Sequence, residues 1–193
     1  TLDATEDRAF DAGLVGIGMM GRNHARVLGS LDGVRLVAVA DPAGDKHSMA
    51  GSAAVVPTIA EMVAVGIDLA VVAIPTIYHL EAGLELAAAG VPTLIEKPLA
   101  TDADEARQLV NAFEGAGLVN AVGHIERFNP ALRALRSRLE AGDLGDIYQV
   151  ATRRQGPFPN RIADVGVVKD LATHDIDLTA WVIQSPYKKV SAH

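Results

Sequence analysis

Residues 13–41, which read GLVGIGMMGRNHARVLGSLDGVRLVAVAD, decide the fold of this chain. They begin with a short apolar run, residues 14–17, of the kind that forms a buried parallel strand. The pattern G-x-G-x-x-G follows at the point where such a strand turns into a helix, formed by Gly16, Gly18 and Gly21. A second apolar run, residues 36–40, ends at Asp41. This order predicts a βαβ unit: a strand, the glycines, a helix, a second strand and a terminal carboxylate.

Each glycine of the pattern has a predicted task. The first permits a tight turn, the second lets the backbone approach a pyrophosphate, and the third lets the helix pack closely on the strand. The helix predicted over residues 20–28 would point its N–H groups and positive dipole end at that pyrophosphate. Asp41 lies about 20 residues after Gly21, where a carboxylate can bind the adenosine ribose. A dinucleotide site is therefore favoured over the alternative, a glycine-rich turn without a ligand.

The same carboxylate bears on the choice of dinucleotide. Asp41 can accept both hydrogen bonds of a ribose diol but would repel a 2′-phosphate, so the pattern favours NAD over NADP. NADP stays open, because Arg22 or Lys46 could be recruited by a phosphate.

Composition limits the class of protein. At 193 residues and 49% apolar content, the chain can form one large domain or one and a half. A net charge of −7 argues against nucleic acid or acidic lipid as the main partner. Because there is no cysteine, disulfides, thiolate metal sites and cysteine nucleophiles are excluded. No apolar run approaches about 18 residues and no signal-peptide pattern is present, so a soluble, cytoplasmic protein without a membrane partner is expected.

Apolar runs alternate with helical segments as far as residue 123. The predicted strands are residues 14–17, 36–40, 55–56, 69–74, 91–95 and 119–122, and the later helices are residues 58–65, 77–89 and one capped by Thr101. This alternation predicts an α/β fold, a Rossmann doubly wound parallel sheet, in a dinucleotide-binding domain over residues 12–123. The polar and acidic residues 1–12 are expected to be a frayed start.

From His124 the pattern changes. A basic helix is predicted over residues 131–140, a strand of another sheet over 147–154, a helix over 169–183 and the opening of one more strand over 190–192. Residues 124–193 are therefore predicted to be the N-terminal part of an incomplete α+β substrate domain.

Lys97 is the first candidate catalytic residue. It follows the predicted fifth strand directly and precedes a proline that fixes the backbone. An ammonium there would reach the cofactor cleft and could serve in acid–base catalysis. The alternative is an ordinary lysine at a strand end, and spacing alone leaves both open. His24 and His79 follow cofactor-side turns and are not expected to be catalytic.

Four side chains are predicted on one face of the last helix. They stand at positions i, i+4, i+7 and i+11 and are Asp170, His174, Asp177 and Trp181. His174 could be an imidazole base oriented by Asp170. A core histidine with an N-capping aspartate is one alternative. A metal site is another, since D-x3-H-x2-D offers three ligands, but hydride transfer needs no metal and none is predicted.

Arginines concentrate at the start of the second domain, namely Arg127, Arg153, Arg154 and Arg161. A forked guanidinium is a natural partner for a substrate phosphate or carboxylate. Arg153 and Arg154 would face opposite sides of a strand, so at most one reaches a common ligand. Solvated surface arginines are the alternative for at least half of the set.

Five motifs occur in order along the chain. They are GIGMMG (residues 16–21), IPTxxH (74–79), EKP (96–98), RFNP (127–130) and DxxxHDID (170–177). Together they resemble the glucose-fructose oxidoreductase, inositol dehydrogenase and MocA family (Gfo/Idh/MocA), over nearly the whole chain from residue 12. The resemblance implies an NAD(P)-dependent oxidoreductase that transfers a hydride between a sugar, nucleotide-sugar or cyclitol hydroxyl and the nicotinamide.

The resemblance also implies individual roles. Lys97 would contact the nicotinamide and the reacting hydroxyl, and His174, supported by Asp170, would be the general acid/base. The residues implied to bind the cofactor are Gly16, Gly18, Met19, Met20, Gly21, Asp41, Pro75, Thr76, His79, Glu96, Lys97 and Arg127. His174 or Lys97 would take the hydroxyl proton while the carbon delivers hydride to the nicotinamide C4, leaving a keto-sugar.

Finer expectations concern substrate and assembly. Residues 153–170 resemble the branch that oxidises C3 of UDP-N-acetylhexosamines, with Arg154 or Arg161 meeting the diphosphate and His174 also contacting substrate. Family members usually continue with a full antiparallel sheet that forms the dimer face, so a homo-oligomer is expected where that domain is complete. The alternatives are a family glycosidase that uses NAD transiently and a non-catalytic dinucleotide-sensing regulator. A pure sensor would not need Lys97, Asp170 and His174 together.

Overall fold

The computed structural model describes residues 8–155 and 168–191. The chain divides into two compact units, Thr1–Gly123 and His124–His193. Among the residues described, no helix has both the length and the apolar character that crossing a bilayer requires.

The first unit contains one parallel sheet. Its strands are β1 (Phe10–Val15), β2 (Val34–Ala40), β3 (Ala54–Val56), β4 (Leu69–Val72), β5 (Thr93–Ile95) and β6 (Asn120–Val122). They lie in the order β3-β2-β1-β4-β5-β6, and every neighbouring pair is parallel. The chain reverses direction across the sheet between β1 and β4, which opens a crevice at the carboxyl ends of these strands. The predicted Rossmann doubly wound sheet is confirmed.

The prediction that residues up to 12 fray was wrong for the start of β1. Phe10 to Ala12 pair with β2, and the Phe10 N–H donates to the Gly33 carbonyl at 2.8 Å. Asp11 explains why this segment looked like coil, because its carboxylate lies 2.7 Å from Arg35 on the neighbouring strand. A cross-strand ion pair between β1 and β2 compensates a charge that local propensity counts against a strand.

Four α-helices accompany the sheet: α1 (Met19–Leu28), α2 (Ile59–Ala64), α3 (His79–Ala88) and α4 (Ala103–Gly115). The predicted cap of α2 is present, because the Thr58 hydroxyl accepts from the Glu61 N–H at 3.2 Å. The predicted cap of α4 was one residue early. Asp102 caps it by accepting from the N–H groups of Asp104 and Glu105 at 2.9 Å, and Thr101 instead hydrogen-bonds the Glu105 carboxylate.

The helices cover the two faces of the sheet separately. Successive strand residues point to opposite faces, so Leu14 and Val15 of β1 belong to different apolar clusters. Leu14 packs in the cluster that α1 joins through Ala25 and Leu28. Val15 packs in the cluster that holds side chains of α2, α3 and α4, namely Met62, Leu86, Leu109 and Phe113. The α1 face of β1 is therefore the one that carries Leu14.

The second unit is helical in the part that the structure describes. Its helices are α5 (Pro130–Glu140) and α6 (Thr173–Ile183), with a 3₁₀ turn at Ile125–Phe128. Asn129 caps α5 by accepting from the Ala131 N–H at 3.0 Å. The strand predicted over residues 147–154 was wrong, because residues 145–155 have no regular structure and are mostly exposed. A strand needs a hydrogen-bonded neighbour, and none of the described residues of this unit supplies one. The short strand predicted over 190–192 is likewise absent at 190 and 191, and residue 192 lies outside the described part.

Candidate functional site

The glycine loop between β1 and α1 has three glycines with different surroundings. Gly16 has φ +85°, and a Cβ there would lie 2.5 Å from the Ile74 side chain. A Cβ on Gly21 would lie only 2.0 Å from the Gly16 carbonyl oxygen. At Gly18 a Cβ would meet no protein atom within 4 Å. The first and third glycines are thus required by the protein itself, whereas the second borders open space of the kind that a pyrophosphate occupies.

The first turn of α1 is suited to an anion. Gly18 is its N-cap and supplies no side-chain cap, and the turn carries no acidic residue. The N–H groups of such a turn attract a phosphate through hydrogen bonding and the helix dipole. Met19 and Met20, both predicted to line the cofactor, are 45% and 37% exposed and lie in this turn.

Asp41 is held at the carboxyl end of β2 by two backbone groups. Its Oδ2 accepts from the Ile17 N–H at 2.9 Å, and its Oδ1 accepts from the Ala43 N–H at 2.8 Å. Each carboxylate oxygen keeps a second lone pair for a ribose hydroxyl. The sequence predicted where this carboxylate would lie, but not that it also braces the glycine loop.

An apolar cavity of about 410 Å³ adjoins Asp41. Its lining is Val15, Gly16, Ala40, Asp41, Pro42, Pro57, Ile59, Ile74, Pro75 and Tyr78. A mostly apolar lining with one carboxylate suits a nucleoside, whose base is apolar on its faces and whose ribose needs acceptors. The residues present therefore fit a dinucleotide: the cavity would hold the adenosine, and the glycine loop would hold the pyrophosphate.

Lys97 follows β5 and is half-buried. Because β1 and β5 run in the same direction in one sheet, Lys97 and the glycine loop lie at the same edge. The preceding Glu96 is only 6% exposed. Its Oε2 accepts from the Lys97 N–H at 3.1 Å, and its Oε1 lies 2.8 Å from Nε2 of His24. Sequence reasoning did not expect the contact with His24.

Burial and hydrogen bonding act in opposite directions on Glu96. Burial raises the pKa of this carboxyl, but the hydrogen bond and charge of His24, with smaller effects of Lys97, lower it by more. The net result is a pKa below the usual range of glutamic acid. Glu96 is therefore ionised at neutral pH although its side chain is buried.

The segment Pro75–His79 follows β4 at the same edge. Pro75 lines the apolar cavity, and Thr76 is buried at the start of a 3₁₀ turn. His79 is 1% exposed, with Nδ1 3.0 Å from the Pro98 carbonyl and Nε2 3.0 Å from the Ile74 carbonyl. The imidazole thus joins the end of β4 to the turn that carries Lys97. Its predicted contact with the cofactor stays a prediction, because both ring nitrogens face backbone carbonyls.

In the second unit, Arg127 is engaged by Asp177 of α6. The guanidinium forms a forked pair with the carboxylate, with Nε to Oδ2 at 2.9 Å. That hydrogen bond raises the pKa of Arg127 further above its usual value. His124 Nδ1 lies 3.6 Å from the same carboxylate. Arg127 thereby ties α6 to the 3₁₀ turn at the start of this unit, and its predicted contact with the cofactor stays a prediction.

Arg154 is also paired with carboxylates of its own unit. Its Nε donates to Asp175 at 3.0 Å, and its Nη2 lies 3.2 Å from Glu126. The hydrogen bond that Arg154 donates to Asp175 raises the pKa of Arg154. Two carboxylates compensate its one positive charge, so a diphosphate would have to compete with them. Arg161 and the side chain of Asp170 lie outside the described residues.

The start of the last helix differs from the prediction. Val168–Ala172 forms a π-helical turn, and α6 begins only at Thr173. Because a π turn closes i→i+5 bonds, the α-helical spacing assumed for Asp170 and His174 does not hold across it. His174 is half-buried in the first turn of α6. In the described part of the chain no group of three or more histidine, aspartate or glutamate side chains is arranged to hold a metal, and Asp177 is engaged by Arg127.

Residues 10–124 match the family described as "Oxidoreductase family, NAD-binding Rossmann fold", and residues 132–193 match the Gfo/Idh/MocA C-terminal domain. The chain belongs to the Gfo/Idh/MocA family. Its first unit is the NAD-binding Rossmann domain of that family. The predicted cofactor, NAD, is therefore confirmed by family membership. The predicted resemblance is confirmed as well.

Three similar proteins place the chain within the Gfo/Idh/MocA family. It is 33% identical over 180 residues to the rhizopine catabolism protein MocA of Rhizobium meliloti, covering 90% of this chain and 57% of MocA. The structure of GenD2 from gentamicin A biosynthesis, in complex with NAD, matches with TM-score 0.81 and 30% identity over 93% of this chain and 55% of GenD2. The WlbA dehydrogenase of Bordetella pertussis, in complex with NADH and UDP-GlcNAcA, matches with TM-score 0.79 and 30% identity over 92% and 56%. The chain thus spans little more than half the length of these proteins.

The position of Asp41 in this Gfo/Idh/MocA domain predicts how the cofactor preference changes on mutation. Asp41→Asn removes the charge that repels a 2′-phosphate and keeps the size of the side chain, but its amide keeps only one of the two backbone hydrogen bonds, to Ile17 or to Ala43. We expect the ratio of NADP to NAD affinity to rise about tenfold, equivalent to ~1.4 kcal/mol. Titration calorimetry with both dinucleotides measures it. Asp32→Asn is the control, because exposed Asp32 precedes β2 at the opposite edge of the sheet. An equal loss of both cofactors in Asp41→Asn would remove the preference for NAD.

The Arg127–Asp177 pair is expected to stabilise α6, which lies in the region that matches the Gfo/Idh/MocA C-terminal domain. Arg127→Gln leaves the Asp177 carboxylate, whose side chain is 11% exposed, without its forked donor. Because Arg127 itself is 43% exposed, we expect only ~1 kcal/mol of local destabilisation. Exchange of the backbone amide hydrogens of Thr173–Ile183 should therefore be faster in Arg127→Gln than in the wild type. Arg138→Gln, which removes a looser and more exposed pair with Asp143, should leave this exchange unchanged.

Proposed function

We propose that this protein is an NAD-linked dehydrogenase that oxidises a hydroxyl of a sugar, cyclitol or nucleotide sugar. One observation carries the proposal: Lys97 lies at the same sheet edge as the glycine loop, directly after β5 and half-buried. A lysine at the carboxyl edge of a dinucleotide-binding sheet faces the crevice where ligands bind. Membership of the Gfo/Idh/MocA family supports it.

The chemistry follows from what Lys97 can do. When bound, nicotinamide supplies a hydride acceptor at C4. The Lys97 amine hydrogen-bonds the substrate hydroxyl and takes its proton as the carbon loses hydride, so the alcohol becomes a ketone. Glu96 accepts from the Lys97 N–H, and His79 binds the carbonyl of Pro98, so the turn that carries the amine is held at both ends. The acid/base role of His174, with Asp170, stays a prediction of the sequence.

The charge around Arg154 bears on the substrate. Asp175 and Glu126 already occupy this guanidinium, which favours an uncharged sugar or cyclitol over a diphosphate as the first substrate to test. The nucleotide-sugar branch stays a prediction, because Arg161 and most of the segment that suggested it lie outside the described residues. A homo-oligomer and a cytoplasmic location also stay predictions of the sequence.

The test is to mix the protein with NAD and a panel of candidate substrates and to follow the NADH absorbance band. The panel contains myo-inositol, scyllo-inositol, glucose, UDP-GlcNAc and its uronate. Net NADH with one of them supports the dehydrogenase. Cleavage of a glycoside without net NADH would indicate the glycosidase alternative, and NAD binding without turnover of any compound would indicate a sensor.

A further inference from the structure

His24 is a half-buried titratable residue that the proposed chemistry does not use. It lies on α1 three residues after Gly21, on the helix face whose Gly21, Ala25 and Leu28 are buried against the sheet. Its side chain is 19% exposed, and its Nε2 lies 2.8 Å from Oε1 of Glu96. The pair spans 72 positions of sequence, so tertiary folding alone brings it together.

The pairing follows from the alternation of β5. Ile95 points into the cluster of α2, α3 and α4, and Leu94 packs on the opposite cluster with α1. Glu96, one residue after Ile95, must therefore face α1 as Leu94 does. A carboxylate buried on that face needs a donor, and His24 is the polar side chain that α1 places there.

Gly123 restricts where the Glu96 carboxylate can go. Gly123 follows β6, and its N–H donates to the Ile95 carbonyl at 2.8 Å. A Cβ on Gly123 would lie 2.9 Å from Oε2 and 3.1 Å from Oε1 of Glu96. Backbone on one side and the imidazole on the other thus hold the carboxylate in one orientation, with Oε2 on the Lys97 N–H.

We infer that His24 is a positioning residue: it orients Glu96, which in turn fixes the backbone of Lys97 relative to the phosphate-binding helix α1. This inference rests on the proposed function, because positioning matters only if Lys97 acts on substrate. The glycine loop and the turn that carries Lys97 are then linked. The helix α1 starts at the glycine loop, and its His24 contacts Glu96, which binds the Lys97 N–H. The groups that act on the Glu96 charge are His24 from α1 and Lys97 of its own turn.

The protonation state of Glu96 gives a test that does not need turnover. In His24→Ala, burial still raises the pKa of Glu96, but the hydrogen bond and charge that lower it most are gone. The pKa of Glu96 should therefore rise. Glu96 stabilises the fold through this pair above the usual pKa of glutamic acid, and that stabilisation is lost as the pH falls through the lowered pKa. Carbon-13 NMR of the glutamate side-chain carboxyls, with the Glu96 signal assigned by its loss in Glu96→Gln, measures the midpoint.

The kinetic test separates positioning from folding. His24→Ala should lower kcat about tenfold, with little change in the KM of the substrate or in NAD affinity, because the reacting amine is displaced by a fraction of an ångström. His24→Gln should recover most of kcat, since its amide can donate from the position of Nε2. His47→Ala, an exposed histidine in the loop after β2, is the control and should change nothing.

The outcomes distinguish the inference from the proposed function. An unchanged Glu96 midpoint in His24→Ala overturns the pairing, whether or not the protein turns over any sugar. A raised midpoint with unchanged kcat overturns the positioning role. A raised midpoint in a protein that oxidises none of the panel supports the pairing and counts against the dehydrogenase. Loss of kcat that His24→Gln does not recover would indicate damage to the fold and overturn the inference.

Discussion

Gly18→Ala is expected to weaken NAD binding strongly and to leave the fold intact. The new Cβ meets no protein atom within 4 Å, and the backbone at φ −67° suits alanine. The same Cβ would stand in the space where the pyrophosphate approaches the backbone, so we expect a loss of affinity of about 100-fold, or ~2.7 kcal/mol. Urea unfolding should show unchanged or slightly higher stability, because alanine has less freedom than glycine in the unfolded chain. Calorimetric titration with NAD measures the affinity.

Gly21→Ala provides the contrast. Its Cβ would lie 2.0 Å from the Gly16 carbonyl oxygen and 2.8 Å from the carbonyl carbon, and neither backbone atom can rotate away. We expect destabilisation by more than ~2 kcal/mol in the same urea experiment. Gly115→Ala, at the end of α4 with nothing within 4 Å of the new Cβ, is the control for both effects. Normal NAD affinity in Gly18→Ala would show that the pyrophosphate does not lie on this loop.

Lys97→Ala is expected to remove turnover and to leave NAD binding within a few-fold of the wild type. Acid–base catalysis by a placed side chain contributes about 10² to 10⁴-fold, so kcat should fall by that factor with the substrate from the panel that yields NADH. Lys97 lies at the end of β5, whereas the cavity beside Asp41 is built from other residues, which is why cofactor affinity should survive.

Lys97→Arg distinguishes a role of Lys97 as a base from a role as a fixed positive charge. The guanidinium keeps the positive charge but cannot lose its proton in a protein, so a base mechanism predicts an inactive variant. Lys46→Ala, an exposed lysine in the loop after β2, is the control and should keep full turnover. Turnover that persists in Lys97→Ala while NAD is bound contradicts the catalytic assignment.

Local patterns carried the prediction of the first unit. The apolar runs, the glycines and Asp41 predicted a doubly wound sheet, because each βαβ unit is coded within a short stretch and parallel strands admit few orders. The start of β1 was less predictable: Phe10 to Ala12 end a polar and acidic segment and include Asp11, and only pairing with β2 makes them a strand. In the second unit the alternation of residues 147–154 predicted a strand, but a strand exists only with a neighbour, and the described residues contain none.

The residues of the site divide in the same way. The positions of Lys97 and the glycines were predictable, because they depend on where a strand ends. The pairs His24 with Glu96 and Arg127 with Asp177 were not, because their members lie 72 and 50 positions apart and meet only after helices dock. Sequence by itself therefore determined which residues stand at the carboxyl edge of the sheet. Tertiary structure alone decided which charged side chains pair, because desolvation and pairing depend on contacts between distant segments.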